Sequence, residues 1–172
     1  CDADVFVVTD ADTLLEPGYL RELVMPFSDP SVGATTAVVH YSNVEESGIS
    51  RSEGLYWRFE FFTREVESRL GRLTGLSGAF YAVRPELFKI KDPRCDADFL
   101  APLQVLERGR KVLLLDWISA KDYTPSTTRA LFLRRVRTMT LALWSLARNA
   151  RYLNPFRFSI LSWQIWSHKI LR

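Results

Sequence analysis

The sequence predicts an α/β domain in packed layers with a helical appendage, and three observations carry that expectation. Short apolar runs rich in β-branched residues alternate with stretches of helical periodicity. Of the 172 residues, 47% are hydrophobic and 25% charged, enough for one domain with a real core and incompatible with intrinsic disorder. The charge is divided along the chain: residues 1–128 carry a net −6, whereas residues 129–172 hold nine basic residues and no acidic one.

Composition excludes several classes. Two cysteines, Cys1 and Cys95, make no disulfide framework, and with two histidines there is no zinc cluster. Such sparse cysteine usage suits a reducing compartment. Eight Gly and eight Pro exclude a collagen-like chain, and there is no internal repeat. The chain opens on Cys1 and runs straight into a strand pattern, with no charged leader or cleavage signal. The expectation is a piece whose beginning lies upstream.

Residues 4–9, with Val5, Phe6, Val7 and Val8, read as a buried strand. Leu20, Leu23, Val24 and Phe27 then have helical spacing over 19–27, and Asp29-Pro30 ends it. Val32 to Tyr41 is rich in β-formers and reads as a second strand. Over 45–73, Leu55, Phe59, Phe62, Val66, Leu70 and Leu73 form the apolar stripe of an amphipathic helix. Gly75-Leu76-Ser77-Gly78-Ala79 is a small-residue turn before a strand through Val83, and its glycines suggest a backbone that must approach something closely. A short helical turn follows at 85–88, then a helix over 98–108 stopped by Gly109, and a strand over 111–117. A long basic helix is expected over 128–151, with Leu131, Val136, Met139, Leu143 and Leu146 on its apolar side. Residues 156–171 read as an amphipathic interfacial segment, with Trp163 and Trp166 at headgroup depth. Nowhere does an apolar run reach the roughly 18–20 residues of a membrane span.

Three constellations carry chemistry. Asp10-Ala11-Asp12 follows a strand, where ligands of open α/β sheets bind. Two carboxylates so close repel unless a cation lies between them, and a hard divalent ion suits them; the alternative is an acidic turn capping the next helix. Asp96-Ala97-Asp98 opens a helix, so Asp98 is either an N-cap or a general base for an attacking hydroxyl. Arg134 and Arg137, three apart, share a helix face as a pair of forks suited to a pyrophosphate, or else as a solvated or lipid-facing basic stripe.

Taken with Glu16-Pro17, Gly75 to Arg84, Asp96 to Pro102, Lys121-Asp122 and Ser167-His168-Lys169-Ile170-Leu171-Arg172, these stretches resemble the C-terminal part of the catalytic domain of family 2 glycosyltransferases, the GT-A group that includes cellulose, hyaluronan and poly-N-acetylglucosamine synthases. The resemblance implies a GT-A-like, Rossmann-like partial domain with a mixed sheet over 1–128, and a basic helix plus a membrane-interface helix over 129–172. It implies that Asp10 and Asp12 hold Mg²⁺ or Mn²⁺ and the donor diphosphate, and that Asp98 is the catalytic base. Gly78, Ala79 and Asp96 would line the sugar and acceptor pocket, and Arg134 and Arg137 would bind the donor. The activity implied is inverting transfer of a sugar from a nucleotide-diphosphate donor to a hydroxyl of a glycan or lipid-linked acceptor. That places it in cell-envelope or extracellular polysaccharide or glycolipid synthesis, at the cytoplasmic face of the inner membrane and without nucleic acid as a partner. Where the processive members carry QxxRW, Thr138 follows Arg137 in place of Trp, so polymerisation is not implied. The family's N-terminal nucleotide-binding units and its membrane helices are not in the chain, which alone is expected to be close to inactive. The rival readings are a metal-dependent phospho- or nucleotidyltransferase and a non-catalytic module for anionic surfaces.

Overall fold

The computed structural model describes residues 3–41, 51–90, 92–122 and 127–167. Cys1, the start of the helix expected from 45, and the stretch from His168 to Arg172 lie outside the described residues, as do the side chains of Leu55 and Asp122.

Four strands form one mixed sheet in the order β1 (Phe6–Thr9), β3 (Phe80–Val83), β2 (Val32–Tyr41), β4 (Lys111–Asp122). β3 runs antiparallel to both β1 and β2, with Val8 and Thr36 both opposite Tyr81, while β2 and β4 are parallel. The parallel pair is joined by a long crossover, as such pairs require. Among the described residues β1 pairs with β3 alone, and Phe6, Val7 and Val8 are partly exposed where the sequence predicts a buried strand.

Alternation along β3 divides the core into two layers. Phe80 and Ala82 face Leu23, Phe27, Leu115 and Ile118, on the side of α1 (Tyr19–Val24). Tyr81 and Val83 face Leu73, Leu76, Ala101 and Val105, on the side of α3 (Ala97–Glu107). Gly33 is where α3 approaches the sheet: a Cβ there would stand 2.5 Å from Val105 Cγ1. The helix expected over 19–27 is α-helical only to Val24 and tightens into a 3-10 turn over Met25–Ser28, because Pro26 has no N–H to continue the ladder. α3 agrees with expectation within one residue, and Gly109 stops it at φ +69°, in the left-handed region.

α2 (Arg51–Arg69) corrects the sequence reading of its faces. Within the helix the predicted apolar stripe points outward, with Phe59 66% and Phe62 60% exposed, whereas Leu73, beyond the helix end, is fully buried in the core. Its inward side is polar. Ser68 Oγ accepts from Leu114 N–H at 2.7 Å, Arg64 donates to Gly75 O at 3.2 Å, and Glu67 accepts from Thr74 and from Gln164. α2 covers the edge strand β4, where polar groups find backbone partners that an apolar stripe could not satisfy.

α4 (Thr128–Arg148) buries only its last turns, at Ser145 and Leu146; Val136, Met139 and Leu143, predicted as its packed side, are exposed. A 3-10 turn over Ala150–Leu153 leads to α5 (Pro155–Ile165), which starts on an Asn154 cap and is kinked at Phe158–Ser159. Leu161 and Ile165 of α5 join Phe99, Leu100, Leu103 and Tyr152 in a third buried cluster. The expected interfacial segment therefore packs one side against α3. Trp166 donates its indole N–H to Leu153 O at 3.2 Å, and Trp163 is exposed. No helix among the described residues is long and apolar enough to cross a membrane.

Tyr152 pins this appendage. It is fully buried, donates to Glu107 Oε2 at 2.7 Å and accepts from Arg151 at 3.0 Å. Burial first, and then the bond to Glu107, push its phenol up to about 12. The folded value exceeds the unfolded one, so this contribution is fully present below the ordinary tyrosine range and is lost as pH rises through about 12. Tyr152→Phe removes a hydrogen bond to a charged group and is expected to destabilise the fold by about 1.5–3 kcal/mol. Urea denaturation at pH 7.5 checks the loss, and the same measurement near pH 11 should show a smaller one.

Candidate functional site

The site is assembled around the turn that precedes β3. Ser77 N–H donates to the Thr36 hydroxyl at 3.0 Å, and that hydroxyl itself donates to Phe80 O at 3.1 Å. Leu76 N–H donates to Asp98 O at 3.3 Å, and Ala79 O accepts from Asp10 N–H at 3.3 Å. One turn is thereby tied to β2, to the start of α3 and to the exit of β1. The reading of its glycines as a close approach is met at Gly78, where a Cβ would stand 2.9 Å from Asp98 Oδ2. The need is for space: Gly78 is not among the positive-φ glycines.

Asp10 follows the last residue of β1, and Thr13 N–H closes a turn on Asp10 O at 3.3 Å. Leu14 exchanges two backbone hydrogen bonds of 3.0 Å with Lys121 of β4, and Lys121 pairs with Glu16 at 3.8 Å. The acidic turn is thus clamped to the end of the parallel pair, and it does not cap α1, whose N-cap is Gly18.

Across from it lies α4. Asp10, Ala11 and Asp12 line an open cleft of about 510 Å³ together with Leu133, Arg134 and Arg137. The structure therefore brings the carboxylate pair and the guanidinium pair to one cavity, although 122 positions separate Asp12 from Arg134 in the chain. Charge of both signs around an open cleft suits a ligand that carries phosphate on a divalent cation. Among the described residues no group of three or more His, Cys, Asp or Glu converges on a cation position. Asp10 and Asp12 could hold a hard divalent cation only as the smaller oxygen set that phosphate oxygens complete.

Asp96, not Asp98, stands at the N-cap of α3; its side chain makes no cap bond, and its N–H donates to Ser145 Oγ of α4 at 2.7 Å. Asp98 lies in the first turn, where the helix dipole favours negative charge. Buried behind these residues is Tyr81. Burial, followed by the charges of Asp98, Asp96 and Asp10, holds its phenol well above the usual tyrosine range. One side chain thus registers all three carboxylates.

Leu133, Tyr81 and Ser145 were not legible as site residues. Leu133 lies beside the arginines but off the apolar side assigned to that helix, and Tyr81 sits in an apolar strand where an aromatic ring reads as core. A second cavity of about 480 Å³, lined in part by Lys89, Asp92, Cys95, Arg148 and Arg151, shares no residue with the cleft. Three of its charged groups are paired: Asp92 meets Arg94 at 3.1 Å and Arg148 at 3.6 Å, and Arg151 meets Glu107 at 2.7 Å.

Known proteins share the family and the fold of this chain. The model of glycosyl transferase family 2 matches residues 1–90. Hyaluronan synthases of Streptococcus pyogenes are 31% identical over 87 residues, which are 50% of this chain and 21% of theirs. The chain thus spans about a fifth of the length of the curated relatives it matches. A mannosyltransferase from Pyrobaculum calidifontis, solved in complex with GDP-Man and Mn²⁺, superposes with a TM-score of 0.71 at 20% identity, over 97% of this chain and 46% of that one. Mannosyl-3-phosphoglycerate synthase from Rubrobacter xylanophilus superposes with a TM-score of 0.50 at 18% identity, over 88% of this chain and 49% of that one. These likenesses show the fold, the GT-A-like mixed α/β sheet expected from the sequence.

Gly78→Ala tests the packing of the turn. Its methyl group meets the mobile end of a short side chain rather than backbone, so the protein should fold with a Tm within about 3 °C of the parent, a shift of roughly 1 kcal/mol or less. A crystal structure of the variant should show the Asp98 carboxylate displaced.

Proposed function

The chain belongs to glycosyl transferase family 2, and from that membership we propose that the protein transfers a sugar, with inversion, from a nucleotide-diphosphate donor to a hydroxyl of a glycan or lipid-linked acceptor. The observation that carries this reading is the single cleft shared by Asp10, Asp12, Arg134 and Arg137, with Asp98 held against the same Gly78–Ala79 turn that binds Asp10. On this reading residues 1–128 supply the carboxylates and the 129–172 segment supplies the guanidinium groups.

Asp10 and Asp12 would hold Mg²⁺ or Mn²⁺, which when bound offsets charge on the leaving diphosphate as a Lewis acid. Arg134 and Arg137 stabilise the same diphosphate as negative charge grows on it. Asp98 takes the proton of the acceptor hydroxyl as its oxygen forms a bond to C1. The C1–diphosphate bond breaks on the opposite face, which inverts the anomeric centre by analogy with glycoside chemistry. Gly78, Ala79 and Asp96 border the space where sugar and acceptor meet. The P. calidifontis mannosyltransferase, bound to GDP-Man and Mn²⁺, supports a nucleotide sugar and a divalent cation as ligands.

We also assign the 129–172 segment to an anionic membrane surface, at the cytoplasmic face, where leaflets carry negative potential. Phe132, Met139, Phe156 and Trp163 are exposed on helices that bear arginines but no carboxylate, which supports this docking.

A screen of nucleotide-diphosphate sugars, GDP-mannose among them, with Mn²⁺ and in the full-length protein, should identify a donor by release of the nucleoside diphosphate, and EDTA should suppress that release. Asp98→Asn should lower turnover by about 10²–10⁴-fold, the usual worth of a general base, with donor affinity nearly unchanged. Arg134→Ala should instead weaken donor binding, measured by calorimetry. Wild-type turnover in Asp98→Asn would overturn the assignment of the base.

A further inference from the structure

α3 and α4 each carry part of the site: α4 presents Arg134 and Arg137 to the cleft, and α3 starts on Asp96 with Asp98 in its first turn. The backbone N–H of an N-cap residue is commonly taken by a Glu or Gln three positions on. In α3 that position is Phe99, a buried residue whose side chain holds no acceptor. The acceptor comes from α4 instead. Ser145 Oγ takes the Asp96 N–H at 2.7 Å and donates its own proton to Leu141 O, also at 2.7 Å. Ser145 is fully buried, so water does not compete for either bond.

Leu146, the next residue, is buried in one cluster with Phe99 and Leu100. That apolar contact holds α4 against α3, but it is non-directional and leaves rotation about the helix axis loosely set. A 2.7 Å hydrogen bond to a backbone N–H is directional and sets it. From Thr128 to Arg148 α4 holds neither Gly nor Pro, so an angle fixed at Ser145 is carried along the helix as along a rod. Arg137 and Arg134 lie roughly 12–17 Å upstream at the rise of an α-helix. The head of α3 is in turn tied to the turn before β3, where Leu76 N–H donates to Asp98 O at 3.3 Å.

We propose that Ser145 is a positioning residue: from the head of the helix that carries Asp98, it sets the angle at which α4 holds Arg134 and Arg137 over the diphosphate. This rests on the reading of the cleft as the donor site. Ser145 touches no ligand and acts through the two guanidinium groups. The basic half of the site is registered to the acidic half through one buried hydroxyl.

The test is calorimetry on the full-length protein with Mg²⁺ and inorganic pyrophosphate, a probe that carries the diphosphate without sugar or nucleoside. Ser145→Ala should weaken pyrophosphate binding by about two- to tenfold, the worth of one neutral hydrogen bond. Because the loss passes through the guanidinium groups, it should shrink in the Arg134→Ala background, giving a less-than-additive cycle. Ser145→Cys has nearly the same size but a weaker acceptor. It should fall between the parent and Ser145→Ala, and it carries the test where Ser145→Ala does not fold. Unchanged pyrophosphate affinity in the folded variant overturns the proposal, whatever the change in Tm. A loss that adds fully to that of Arg134→Ala overturns it too. If neither Arg134→Ala nor Arg137→Ala weakens pyrophosphate binding, the reading of the cleft as the donor site fails, and the proposal with it.

Discussion

The constraint on which the site depends is the turn before β3, which hydrogen bonds tie to β1, β2 and the start of α3 at once. At Gly78 it comes so close to α3 that a Cβ would stand 2.9 Å from Asp98 Oδ2. The same turn takes the Thr36 hydroxyl from β2 and offers Ala79 O to Asp10. Moving it would move both acidic motifs at once. Hydrogen bonds to three elements, and not apolar burial alone, fix its place.

α4 completes the site from the other side, and it does so at a distance. Ser145 is fully buried, donates to Leu141 O and accepts the N–H of Asp96 at the head of α3. Arg134 and Arg137 lie about three turns upstream on the same helix, where α4 is exposed on the face that meets the cleft. The helix is therefore anchored near its C-terminal end, and its arginines line the cleft from the part upstream. α5 adds a second anchor through Gln164, which donates to buried Glu67 of α2 at 2.8 Å and to Arg72 O at 3.1 Å. The appendage buttresses α2 and α3, and aromatic side chains on its outer side are exposed.

The polar inner face of α2 follows from the same economy. Ser68 meets the backbone of β4 at Leu114, while Arg64 and Glu67 meet the backbone of the segment after α2, at Gly75 and Thr74. Its phenylalanines are thereby turned outward, opposite to what periodicity alone implies. Periodicity locates a stripe but does not say which stripe faces the core when the alternative contact is a sheet edge with hydrogen bonds to make.

By itself the sequence determined the elements and the chemistry-bearing residues. β2 over 32–41 and α3 to within a residue follow from local propensity and from Gly109, and Asp10, Asp12, Asp98, Arg134 and Arg137 are recognisable by type, order and spacing. These are local properties, set by φ/ψ preference and by side-chain chemistry. Only the tertiary structure decided that apolar side chains of α2 and most of α4 face outward, and that the Tyr81 hydroxyl is buried without a partner. Each depends on which distant segment comes to lie alongside, and burial, pairing and electrostatic surroundings are properties of that neighbour as much as of the residue itself.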